Sequence, residues 1–309
     1  MSSPPFKNIM LVGAGGSIGS VVLEALLAEP SFTVTALQRA SSKTKLPSHV
    51  KVVTVPDSYP SADLETAFKG QDAVINCMTT VAIADQYRMI DAAIAAGVRR
   101  YSPSEYGLNN MRPEAQALNS VFALKGAVQA YLRAKAAEGK IEWMSIACGT
   151  WVAWSINHDF MGLRVKERRF EQLDDGETRS SCSTQESTAQ AAVAALTKGV
   201  EETRNRVVYV QDFVVTQKEL LAEVERQMGE KFTVDVFDSR KLAEQKQAEA
   251  KAGDMWATVA LINIGLMSGD YGALFEKEGE IMNEKLGIPK STLAAEVAKG
   301  LRELREARN

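Results

Sequence analysis

Short, continuous apolar runs open the chain, separated by stretches whose apolar residues recur every three or four positions. Asn8 to Val12 reads as a buried strand, and the stretch after it sets Ile18, Val21, Val22, Ala25 and Leu26 on one helical face. Further strands are expected at Thr33 to Leu37, Val50 to Val55, Asp72 to Asn76, Arg100 to Ser102 and Ile141 to Ala147. Helices are expected between them at Ala62 to Phe68, at Ala82 to Ala96 with Gly97 closing its end, and at Val121 to Ala137. Strands that are apolar throughout, rather than alternating, are covered on both faces. Helices at this pitch make right-handed crossovers between parallel strands. The expected fold class is therefore α/β, a Rossmann-type doubly wound parallel sheet over residues 1–152.

The pattern is less regular afterwards. Ser187 to Lys198 reads as a helix and Val207 to Val210 as a strand. Thr216 with Glu219 forms a capping box that opens a helix running to about Met228, and Thr233 to Phe237 is a further strand candidate. From 239 onward the chain reads as mostly helical, broken at Gly253, Gly269 and Pro289. Residues 153–309 are thus expected to form a smaller, mostly helical substrate lobe, interleaved with the sheet through the strand and helix near 207–228.

Composition narrows the class. With 309 residues, 45% of them apolar, the chain can bury a large core. Its 36 basic and 39 acidic residues leave a net charge of −3, so no overall basic excess points to nucleic acid. The longest apolar stretch, Met255 to Met267, is too short to cross a membrane and is interrupted by Thr258 and Asn263. Cys77, Cys148 and Cys182 lack metal-site or CxxC spacing, and the only histidines are His49 and His158. The leader Met1 to Pro5 has none of the features of a signal peptide. These features lead us to expect a cytoplasmic protein without metal, membrane or nucleic-acid partners; a homodimer is compatible with them.

Candidate chemistry begins at Gly13-Ala14-Gly15-Gly16-Ser17-Ile18-Gly19, between the first strand and its helix. Glycines let backbone N–H groups approach a pyrophosphate, and the helix start adds the positive end of its dipole. Gly13, Gly16 and Gly19 keep a GxxGxxG spacing, with Ser17 and Ile18 at the helix entrance. An NAD site would next place an acid at the end of strand two. Here Arg39 stands there instead, followed by Ser41, Ser42 and Lys43. Cations paired with hydroxyls suit a 2′-phosphate, which selects NADP(H). The plain alternative is that Arg39 and Lys43 are ordinary surface cations. Asp57 either reaches the adenine edge or is a turn residue. Asn76, Cys77 and Met78 follow strand four, where parallel-strand ends line a ligand crevice.

Pro103-Ser104-Glu105-Tyr106-Gly107 resembles the PSEFG motif of the NmrA-like, isoflavone-reductase-like family. This family belongs to the atypical short-chain dehydrogenases and includes the pinoresinol–lariciresinol and phenylcoumaran benzylic ether reductases. Ser120 to Lys125 resembles the segment that carries its catalytic lysine, and the glycine turn and Arg39 match as well. The resemblance covers about the first 150 residues and loosens beyond them. It implies that Lys125 does the acid–base work, since Val121 stands where a Tyr-x-x-x-Lys pair would need its tyrosine. Tyr131 and Lys135 do form such a pair, but Tyr131 lies roughly 240° around the helix from Lys125. Ser104 and Glu105 sit at a strand end, where Glu105 either orients Lys125 or the ribose or serves the structure. The resemblance also implies a substrate pocket lined by aromatics after strand six, where Trp151 and Trp154 either stack on a flat ring or pack in the core. Tyr106 and Phe160 are further substrate candidates, His158 is either a second proton donor or a structural or exposed residue, and the apolar helix with Trp256 either covers the pocket or is plain core. Ser183 to Thr188 and Gly149 depart from the family pattern. The resulting reading is an NADPH-dependent reductase of a small aromatic, secondary-metabolite-like substrate: a ketone, enone, quinone or benzylic ether. A redox-neutral isomerase or dehydratase, and a non-catalytic NADP-sensing regulator, remain the alternatives.

Overall fold

The computed structural model describes residues 5–307. Met1 to Pro4 of the leader, and Arg308 and Asn309, lie outside the described residues. The first half runs β1 (Asn8–Val12), α1 (Ser17–Leu27), β2 (Thr33–Arg39), β3 (Lys51–Val55), α2 (Ser61–Phe68), β4 (Ala73–Asn76), α3 (Gln86–Ala95), β5 (Arg100–Ser102), α4 (Pro113–Leu118), α5 (Ser120–Ala137) and β6 (Glu142–Ala147). The second half continues with β7 (Thr150–Trp151), α6 (Val152–Asn157), β8 (Leu163–Arg164), β9 (Arg169–Leu173), β10 (Ser180–Ser183), α7 (Gln185–Ala194), β11 (Arg206–Tyr209), β12 (Phe213–Val215), α8 (Gln217–Met228), β13 (Thr233–Phe237), α9 (Ser239–Lys251), α10 (Met255–Met267) and α11 (Leu293–Glu306).

Seven parallel strands form the central sheet in the order β11-β6-β5-β4-β1-β2-β3. The chain winds outward from β1 to β3, then returns to β4 and winds the other way. The strand order therefore reverses between β1 and β4, and a crevice opens at their C-terminal ends. Both faces of the central strands β1 and β4 are covered, which is why these strands are apolar almost throughout, whereas the edge strand β3 is largely exposed. Ile9, Leu11 and Ile75 pack with α1 and α7 on one side, while Met10, Val12 and Val74 pack with α2, α3 and α5 on the other. Arg100 is wholly buried at the start of β5, bonded to Glu142 and to the carbonyls of Ala195 and Val200. Among the described residues, no helix is long and apolar enough to cross a membrane.

Two local features differ from the sequence pattern. The helix expected over 82–96 is split into a 3-10 turn, Thr80–Asp85, followed by α3, because Ala82 leaves helical geometry. The second half also carries two three-stranded sheets, β12-β10-β7 and β13-β9-β8, beside its helices. Gly149 makes the turn from β6 into β7. Its φ is +64°, and a Cβ there would overlap the Ser181 carbonyl, so the departure at this position has a steric cause.

Candidate active site

The glycine turn sits at the strand-order reversal. Gly13 has a φ of +80°, and a Cβ on it would lie 2.6 Å from the Cys77 carbonyl oxygen. A Cβ on Gly19 would overlap the Gly13 carbonyl oxygen. Gly16 closes the turn by donating to the Gly13 carbonyl at 3.0 Å and N-caps α1 with no side-chain capping bond. The first amides of α1 therefore have no side-chain cap from Gly16. The side chain of Ile18 is buried in the core, so only its backbone is available at the turn. Ser17 accepts bonds from Gln185 Nε2 at its carbonyl and its hydroxyl, at 3.0 and 3.2 Å.

Arg39, Ser41, Ser42 and Lys43 all lie exposed at the end of β2. Ser42 N–H donates to the Arg39 carbonyl, and Ser41 N–H donates to Asp57 Oδ1 at 3.0 Å. These bonds to Ser41 hold the Asp57 carboxyl below its ordinary value. Asp57 is therefore a brace for the loop carrying the two cations. A surface hollow lined by Val98, Arg99, Glu142 and Asn205 lies at the opposite, N-terminal end of the strands, away from the glycine turn.

Behind the turn, several expected contact residues spend their side chains internally. Asn76 is completely buried, with Nδ2 donating to Tyr101 Oη at 2.9 Å and Oδ1 accepting from Met78 N–H at 2.9 Å. Ser104 Oγ donates to the Met78 carbonyl at 2.7 Å, and Ser104 N–H donates to Gln86 Oε1. The side chains of Asn76 and Ser104 thus fix the backbone that lines the crevice. Burial pushes the Cys77 and Cys148 thiols up to about 12, which leaves neither as a nucleophile.

Lys125 comes from α5, whose first turn is capped by the Asn119 side chain accepting from Val121 N–H. Its side chain is buried, and Nζ donates to the backbone carbonyl of Glu105. Burial pulls the Lys125 ammonium below its ordinary value, while the fields of Glu105 and Cys148 work the other way. Burial likewise pushes the Glu105 carboxyl up to about 7, against Lys125 and a hydrogen bond from Asn110. The next residue, Tyr106, has a φ of +41°, an uncommon conformation for a side-chain-bearing residue. It is held by Tyr106 N–H donating to the Ile146 carbonyl, and by Cys148 and Gly149 N–H groups donating to the Gly107 carbonyl. This stitching sets the Tyr106 hydroxyl 3.1 Å from Cys77 Sγ, next to the turn. Lys125, Glu105, Tyr106 and Cys77 therefore form one connected group at the C-terminal ends of β4 and β5.

Four of the expected pocket aromatics also come together. Trp151 and Trp154 meet edge to face at 6.4 Å; Trp154 stacks on His158 at 4.2 Å and meets Phe160 edge-on at 5.7 Å. Trp151 Nε1 donates to Thr188 Oγ1 at 3.0 Å, and Thr188 in turn neighbours Cys148, which links the aromatics to the lysine pocket. His158 is exposed, with Nδ1 against the Trp154 carbonyl at 2.8 Å. Trp256 does not join them. It is 81% exposed in the first turn of α10, about 140° around the helix from the buried Leu261. The Tyr131–Lys135 pair also lies apart. Tyr131 donates to Asp91 on α3, and Lys135 sits over the tyrosine ring.

Asn110, Thr188 and Gln185 were not singled out from the sequence. Only the irregular Ser183–Thr188 segment hinted at the last two. The acid that steadies that segment comes from far along the chain: Asp212 accepts from Thr184 N–H at 3.1 Å and Ser187 Oγ at 2.8 Å.

A profile of the NmrA-like family matches residues 5–250. The oxidoreductase aprR of Aspergillus flavus is 33% identical over 283 residues, covering 91% of this chain and 94% of that protein. The crystal structure of isoflavone reductase has a TM-score of 0.76 at 19% identity and covers 98% of this chain and 99% of that one. The binary complex of leucoanthocyanidin reductase with NADPH, from Vitis vinifera, has a TM-score of 0.68 at 17% identity, covering 94% and 100%. At such identities the two structures speak to the fold alone.

Proposed function

This chain belongs to the NmrA-like family, and on that premise we propose that it is an NADPH-dependent reductase of a small aromatic substrate, with Lys125 as the acid–base group. The observation that carries the reading is the buried Lys125 amine, joined through Glu105, Tyr106 and Cys77 to the glycine turn. The full-length similarity to an oxidoreductase and the NADPH complex of a protein sharing the fold support it.

The residues present suit the dinucleotide. The turn at Gly13 and Gly19 has no room for a Cβ, and the start of α1 has no side-chain cap. Arg39 and Lys43, with the hydroxyls of Ser41 and Ser42, are placed to hold a 2′-phosphate. When bound, NADPH supplies the hydride. Lys125 delivers a proton to the oxygen on which negative charge develops, and its desolvation lowers the cost of giving that proton up. Trp151, Trp154 and Phe160 supply flat apolar walls for a ring and exclude water. Residues 1–152 serve as the cofactor domain and 153–309 as the substrate lobe, with β11 and α8 interleaved.

The test is NADPH oxidation followed by absorbance against aromatic ketones, quinones, enones and benzylic ethers, with wild type and Lys125→Ala in parallel. Consumption by wild type alone is the expected result. Equal consumption by both proteins would remove Lys125 from the mechanism. NADPH binding without consumption across the whole panel would favour a redox-neutral enzyme or a sensor.

A further inference from the structure

Glu105 and Asn110 are both almost wholly buried, at 3% and 1% exposure. Asn110 Nδ2 donates to Glu105 Oε2 at 2.6 Å. The other two oxygens of the pair, Glu105 Oε1 and Asn110 Oδ1, are buried and accept no hydrogen bond from any of the described residues. Two buried acceptors without donors are costly when the carboxyl is ionised, because neither can donate. Turning the Asn110 amide over does not help, since Oδ1 would then face Oε2 at the same short range. One proton resolves the conflict. A carboxylic acid and a primary amide bond reciprocally: the amide N–H donates to one carboxyl oxygen, and the acid O–H donates to the amide oxygen. Half of that arrangement is already present.

Lys125 fits the same picture. Its Nζ donates to the main-chain carbonyl of Glu105 and not to the carboxyl. Its other titratable neighbour is Cys148, which follows β6, and burial keeps that thiol neutral. We propose that Glu105 is carried as a neutral carboxylic acid locked to the Asn110 amide, and that this locked acid is a positioning residue that holds the Lys125 anchor in place without trapping the lysine's proton. The functional half of this proposal rests on the reading of Lys125 given above; the protonation state of Glu105 does not. The upward displacement of the Glu105 carboxyl, despite the opposing field of Lys125, agrees with the geometry. It follows that the site needs the shape of Glu105 and not its charge.

Glutamine tests this directly. In Glu105→Gln, Nε2–H donates to Asn110 Oδ1 while Oε1 accepts from Nδ2, so the same ring closes without a titratable proton. Below about pH 7 the variant is expected to keep kcat within about twofold, and above it to hold kcat/KM where the wild type, its carboxyl ionising, loses it. Glu105→Ala, which frees the loop, is expected to lose kcat on the order of 10²-fold. An infrared difference spectrum of wild type minus Glu105→Gln, taken at about pH 6, should show the carbonyl stretch of a protonated carboxyl, although an ordinary glutamate is ionised there. A carboxylate band in its place would overturn the protonation assignment, whatever the activity of the variants. Loss of activity in Glu105→Gln as deep as in Lys125→Ala would overturn the positioning role. Full activity in Lys125→Ala would instead overturn the assignment of Lys125, leaving the infrared result to stand alone.

Discussion

Gly13 imposes two separate costs on any larger residue, and the structure allows them to be measured apart. Its left-handed backbone, at a φ of +80°, costs an alanine roughly 1–2 kcal/mol. A Cβ would also press on the Cys77 carbonyl oxygen at 2.6 Å. That oxygen belongs to a backbone held by Cys77 N–H donating to Val12, so it yields little. Overpacking of this kind costs typically about 1–3 kcal/mol. Against both, alanine restricts the unfolded chain and recovers about 0.4–1 kcal/mol. Gly13→Ala should therefore lose roughly 1–5 kcal/mol, about 3 at the centre of these ranges. Gly97 is the control for backbone strain: its φ is +78°, and a Cβ on it would meet nothing within 4 Å. Gly97→Ala should lose about 1 kcal/mol and leave NADPH binding unchanged. Gly19 is the control for contact. It lies inside α1, where alanine is intrinsically better by about 1 kcal/mol, yet its Cβ would overlap Gly13. Urea unfolding at constant slope gives the three losses, and a fluorescence titration gives the NADPH affinities. If Gly13→Ala lost no more than Gly97→Ala, the close approach to Cys77 would carry no energy. If both turn variants bound NADPH as wild type does, the dinucleotide would not sit on this turn.

Lys125→Met replaces a desolvated amine with an apolar chain of similar length; kcat should fall by about 10²–10⁴ while the urea midpoint holds or rises. Arg39→Ala should weaken NADPH by on the order of 10–100-fold and leave NADH unchanged, through loss of a charge-assisted bond; parallel titrations with both nucleotides check this. Arg100→Met strips hydrogen bonds from the Ala195 and Val200 carbonyls and should cost about 3–5 kcal/mol by denaturant titration without altering NADPH affinity. The raised pKa of Glu105 makes a pH prediction. The folded carboxyl holds its proton up to about 7, where the unfolded one has released it near 4.5. Wild type should therefore lose stability as pH rises between those values. Glu105→Gln should lack that slope in a series of urea titrations.

The central sheet was legible because apolar runs and helical periodicity report burial along one element at a time. The glycine turn was legible because it follows an apolar strand and opens a helix, and the left-handed φ of Gly13 is a local demand; its close approach to the Cys77 carbonyl is tertiary. The cations at Arg39 and Lys43 could be placed because they follow the turn by one strand. Elsewhere local pattern was silent. Strands β7, β8 and β12 are too short to alternate, β10 is built from Ser and Cys, and β9 is mostly polar. Met255 to Met267 is apolar around its circumference, so periodicity could not say that Trp256 would face solvent. Asn76 stands at a strand end, where the sequence suggests a ligand contact, but its side chain is taken up by Tyr101 and Met78. What makes Lys125 chemically unusual is wholly tertiary. Its desolvation comes from the loop after β5 and the end of β6 closing over α5, and the Asn110 amide meets Glu105 only within that packing. Residue order along the chain sets which backbone shapes are allowed and which faces must be buried. The charge state of the pocket was decided only by folding, because desolvation sums over every element that excludes water, whatever their separation along the chain.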